Sequence, residues 1–133
     1  MKNIFGIFLA LFVVSGAYAK TVTVGKVVDG DTFITDVSGG EIPVSIINVD
    51  TPELNGKCES EIELANKAKA RLIELLPVET VVELKNYEEM GNRHKRIKAE
   101  VILPDGSNVG EILIKEKLGR PFDFKHHGQR WCK

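Results

Sequence analysis

Two short acidic motifs stand out for their chemistry. Asp29-Gly30-Asp31-Thr32 and Asp50-Thr51-Pro52-Glu53 are separated by two strand-like runs. Aspartate and glutamate are poor strand formers, so acids at strand ends usually mark turns. Two solvated turns are therefore one reading of the pair. The other is a shared metal site. If the strands between the motifs pair antiparallel, the motifs approach each other. Two carboxylates, a backbone carbonyl and waters suit a hard cation such as calcium. Glu53 is then a third acid, placed to act on a water.

A basic run, Asn92-Arg93-His94-Lys95-Arg96-Ile97-Lys98-Ala99, follows some forty residues later. Acids that hold a cation and arginines that fork phosphate oxygens are the parts of a metal-dependent phosphodiesterase. The charge distribution is compatible with that division. Residues 20–91 carry 7 basic and 14 acidic side chains, whereas residues 92–133 carry 10 basic and 5 acidic. A plain charge-segregated surface gives the same count. The formal net charge of the whole chain is −1, so there is no global pull towards nucleic acid.

DGDT, about twenty residues and then VDTPE resemble the signature of the staphylococcal nuclease (thermonuclease-like) family. The run around Arg96 resembles that family's third motif. The resemblance extends from about residue 20 to the C-terminus. It implies that Asp31 and Asp50 bind calcium through carboxylates and Thr51 through its backbone carbonyl. It makes Glu53 the general base and Arg96 the phosphate-binding arginine. Arg93 becomes a second cation near the substrate, where the family has a lysine, and Phe122 a substrate-contacting aromatic. The implied function is a calcium-dependent nuclease acting on DNA and/or RNA with little sequence preference. A monomer is expected.

One departure bears on catalysis. The family usually places a second arginine five residues before the first aspartate of VDTPE. That position is Ser45 here. A serine hydroxyl donates one hydrogen bond and carries no charge. Three consequences are open: another cation, Lys26 or Lys98, reaches in; the enzyme is slow; or the site keeps binding without catalysis. The last makes the chain an OB-type module for nucleic acid, polysaccharide or a protein partner.

The elements that must position these residues follow from periodicity. The N-terminus stands apart. Lys2, an eleven-residue apolar run from Ile4 to Val14 and Ala17-Tyr18-Ala19 before Lys20 form the pattern of a secretory signal peptide. The run is too short to span a bilayer. The expectation is a signal at residues 1–19, a single domain at 20–133, export to the periplasm or beyond, and no lasting membrane association. The two cysteines, Cys58 and Cys132, then suggest a disulfide. A metal site with His94, His126 or His127 competes with that reading, although the spacings match no familiar zinc pattern.

With 43% hydrophobic and 28% charged residues, the chain is that of a globular protein, not a disordered one. Thr21–Val28, Thr32–Asp36 and Ile42–Val49 read as a three-stranded meander, with a turn at Ser38-Gly39-Gly40. Ser60 with Glu63 reads as a capping box opening a helix. Ile62, Ala65, Ala68, Leu72 and Leu76 line its core face and Pro77 stops it. Thr80–Tyr87 and the stretch from Ile97 to Leu103 give two more strands. Asn108 with Glu111 caps a short helix that runs to Leu118. Periodicity alone yields a small α+β or β-barrel domain. With the resemblance, the expectation is mainly β: a five-stranded OB barrel with two to three helices. In the tail, Trp131 is expected to pack against the body, tethered by Cys132.

Overall fold

The computed structural model describes residues 20–37, 40–91, 93, 95–123 and 131–132. Residues 1–19, where a signal peptide is expected, most of the Ser38 turn and all three histidines lie outside the described residues. Strands β1 (Lys20–Asp29), β2 (Thr32–Val37) and β3 (Gly40–Ile46) form the expected antiparallel meander. β4 (Val49–Asp50) is a two-residue strand. Helix α1 (Glu59–Leu75) follows, then β5 (Val81–Met90), β6 (Arg96–Ile102), helix α2 (Val109–Lys115) and β7 (Arg120–Pro121).

Five strands close into a barrel in the order β1-β2-β3-β6-β5, with β3 and β6 parallel. Closure needs β1 to serve two partners. Residues 20–23 pair with β5, and residues 24–29 pair with β2. Register shifts at Val24/Lys26 and Val27/Asp29 each insert an extra residue on β1. Such bulges bend a strand and sharpen its twist, which carries β1 around the barrel.

Alternation sorts the side chains as expected. Ile97, Ala99 and Val101 of β6 point inwards and are buried, while Arg96, Lys98 and Glu100 face outwards. Phe33, Leu84 and Val101 fill the barrel, and Leu72 and Leu76 of α1 and Leu113 of α2 join the same core.

Three local expectations change. The third strand does not run unbroken to Val49. It ends at Ile46, turns at Ile47–Asn48 and resumes as β4, which pairs with β7. The turn puts Val49 in the core, 2% exposed. The first helix starts at Glu59, with Cys58 at the N-cap position and no side-chain cap, so Ser60 and Glu63 form no capping box. β5 continues past Tyr87 to Met90, because its acidic end still pairs with the start of β6. The second cap holds: Asn108 accepts a hydrogen bond from the Glu111 backbone N–H at 3.1 Å. Its helix stops at Lys115, short of Leu118.

Candidate metal and phosphate site

The first motif forms the turn between β1 and β2. Gly30 is required there by close approach. A Cβ at Gly30 would lie 2.8 Å from the Thr51 hydroxyl oxygen and 2.8 Å from Ala68 Cβ, with no room for either. The glycine thus lets the first motif pack directly on the second. Two hydrogen bonds donated by main-chain N–H groups to Asp31 hold the result. Ile46 N donates to the Asp31 carbonyl at 2.9 Å, and Thr51 N donates to Asp31 Oδ2 at 3.3 Å. The Asp31 backbone N–H also donates to Asp29 Oδ1 at 3.1 Å.

Asp31, Asp50, Arg96 and Phe122 line one cavity of about 520 Å³ on the outer face of the barrel. Ser45, Lys98, Asn86 and Glu88 share its wall, with Ile46, Ile47 and Val49 as apolar lining. β7 supplies the Phe122 side. Asp50 pairs with Arg120, and Gly119 runs so close to β4 that a Cβ would sit 2.5 Å from Val49 Cγ2. The Arg120 guanidinium stacks 3.8 Å from the centre of the Trp131 ring, so Trp131 packs on the body. Next to it, Cys132 is disulfide-bonded to Cys58. The bridge thereby ties the tail to the N-terminus of α1. The two cysteines are separated by 74 residues, and in the chain-entropy model such a loop stabilises the fold by about 4 kcal/mol. Reduction is expected to lower the urea midpoint correspondingly. An unchanged midpoint would show that the tail is held by packing alone.

The acids are crowded. The Asp31 carboxyl is pushed up to about 7, first by burial, then by the Asp29 charge and a hydrogen bond with Asp29; its hydrogen bonds from Thr51 oppose this only in part. Glu53 is also raised, by burial and by the charges of Asp29, Asp50 and Glu61. These carboxylates are close enough to oppose one another's ionisation. A cation relieves that opposition, and an all-oxygen donor set fits a hard one.

Glu53 itself does not line the cavity; its side chain is exposed three residues beyond Asp50. Its backbone is held from behind. Buried Glu61 accepts hydrogen bonds from Glu53 N at 3.2 Å and Lys57 N at 3.0 Å. Glu61 gives no local sequence signal, because it reads as one more helix acid. Arg93 is exposed and outside the cavity lining. Asn86 and Glu88 were also invisible to sequence reasoning. A β5 bulge between Lys85 and Glu88 aims them, with Asn86 at φ 53°.

A closed five-stranded barrel in this order is consistent with an OB fold. The staphylococcal nuclease homologue family matches residues 43–129, and the chain belongs to that family. The matched segment includes Asp50, Thr51, Glu53, Arg96 and Phe122 and starts after Asp31. Members are generally nucleases that act on nucleic acid and typically depend on a metal. No curated protein matches the chain.

Proposed function

We propose that this protein is an exported, calcium-dependent phosphodiesterase that cleaves DNA and/or RNA with little sequence preference. The observation that carries the reading is the single cavity shared by Asp31, Asp50 and Arg96. Asp31 and Asp50 would hold the cation through their carboxylates, with the Thr51 carbonyl as a third donor. When bound, calcium neutralises a phosphate oxygen and acidifies a water. Glu53 accepts a proton from the attacking water, a role its raised proton affinity suits. Arg96 forks two phosphate oxygens and stabilises the charge that develops on them. Phe122 offers a ring face to a base. Contacts to phosphate and stacking discriminate little among bases, hence the weak sequence preference. The disulfide and the signal-like N-terminus support export.

The test is release of acid-soluble product from heat-denatured DNA, with calcium or with a chelator. Calcium-dependent release supports the reading. DNA binding without cleavage would replace it with an OB binding module, and neither would direct attention to sugars or proteins. Glu53→Gln is expected to lower kcat by about 10²-fold, with oligonucleotide affinity changing far less. A large affinity loss at preserved turnover would remove the assigned role.

A further inference from the structure

Resting on the reading above, we infer that Lys98 is the second phosphate-contacting cation of this site, acting beside Arg96 from the neighbouring strand to Ser45. In the β3–β6 register, Ser45 and Lys98 are direct Cα partners. Adjacent strands lie about 4.8 Å apart. Both residues alternate with buried neighbours, Val44 and Ile46 on β3 and Ile97 and Ala99 on β6, so both project to the outer face. Both line the cavity that holds Asp31, Asp50 and Arg96. Arg96 precedes Lys98 by two residues on the same face, about 7 Å along the strand. The small Ser45 side chain leaves the space over β3 to the long lysine next to it.

Charge favours the lysine. Among the described residues, Asp31, Asp50 and Glu88 bring three carboxylates to the cavity wall, against Arg96 and Lys98. In the calcium-free site, removing Lys98 would leave one described guanidinium on a wall with three acids; with calcium on Asp31 and Asp50, Glu88 is still an acid that opposes an incoming phosphodiester. Glu88 is the Cα partner of Lys98 on β5. A cross-strand ion pair would reduce Lys98 to surface decoration. Yet Lys98 makes no ion pair among the described residues, which leaves its ammonium available to a ligand. Lys26 lacks this placement: it is exposed on β1, paired with Ile34 of β2, and lies outside the cavity lining.

The experiment compares the unsubstituted protein with Lys98→Met, Lys98→Arg, Lys26→Met and the double variant Ser45→Arg/Lys98→Met. Two readouts are taken: affinity for a short single-stranded oligothymidylate in chelator over a range of salt, and cleavage rate in calcium. Lys98→Met is expected to bind about 10-fold more weakly, with a salt slope smaller by about 0.7, the value for one lost phosphate contact on a single strand. Its kcat should fall by about 10²-fold, below the loss of a full arginine finger because an ammonium does not fork. Lys98→Arg and the Ser45→Arg double variant should recover most of both, and Lys26→Met should match the parent. A Lys98→Met protein that binds with the parental salt slope overturns the inference, whether or not the parent cleaves. If the parent binds but does not cleave, and Lys98→Met loses the contact, the inference stands and the catalytic reading falls. If the parent neither binds nor cleaves, both fall.

Discussion

Arg96→Lys is expected to lower turnover by about 10³-fold or more while leaving the fold intact. The charge is retained, so the loss isolates geometry. A guanidinium presents a planar fork that meets two phosphate oxygens at once, whereas an ammonium meets them as a point charge. Arg96 opens β6, exposed, with buried Ile97 beside it and Met90 as its Cα partner. Its side chain contributes nothing to the core, and exposed substitutions of this kind usually change stability by less than about 0.5 kcal/mol. The measurement is kcat and KM on denatured DNA in calcium, alongside a thermal melt. Loss of kcat at an unchanged melting temperature assigns Arg96 to the charge that develops during cleavage. Unchanged kcat would move that role elsewhere in the cavity, with Lys98 the nearest alternative.

What sequence could and could not reveal divides along local and non-local causes. The Thr/Val alternation of β1 and the apolar stripe of α1 depend on short-range periodicity; both appear, except that Ile62 is only half-buried and Glu61 takes the buried place in the first turn. The Asn108 cap is equally local. The break at Ile47–Asn48 is not. No glycine or proline marks it; the one local sign is a shift of apolar phase, from Val44 and Ile46 to Ile47 and Val49. Tertiary bonds impose it: Ile47 N donates to the Ala99 carbonyl at 3.0 Å, and Asn48 Nδ2 to Asn108 Oδ1 at 2.9 Å. The failed capping box at Ser60 has a similar cause. The helix start is set by Cys58, whose position is fixed by a bridge to the far end of the chain.

The site divides in the same way. Asp31, Asp50 and Arg96 were legible because each sits in a short motif at a strand end. Glu61 was not, because its partners are the backbone N–H groups of a preceding loop. Lys26 and Lys98 were both candidates in the sequence, with Lys98 in the basic run of Arg96. The β3–β6 register decides between them, placing Lys98 against Ser45, whereas Lys26 pairs with β2. A charge missing from one strand is thus matched by a charge on its neighbour, a relation that exists only once the barrel is closed.

Metal-free Asp31→Asn is expected to be more stable than the parent at about pH 8, and yet to lose its response to calcium. The Asp31 carboxyl is raised in the folded protein from an ordinary 3.8 to about 7. Between those values the folded state binds a proton that the unfolded chain has released. Parental stability therefore falls as pH rises from about 4 to about 7, and this contribution is constant above that. The full drop is on the order of 4 kcal/mol. Asparagine has the shape of the protonated acid and keeps a donor for Asp29, so the variant should show a flatter profile and a higher melting temperature at the alkaline end. Calcium should reverse the order. It stabilises the parent by occupying the site, whereas loss of a charged ligand should weaken binding to the variant by about 10²-fold or more. Melting temperatures across this pH range, with calcium and with chelator, check both halves. A parental profile that stays flat would show that the acids are not strained in the empty site. An undiminished calcium shift in the variant would remove Asp31 from the ligand set.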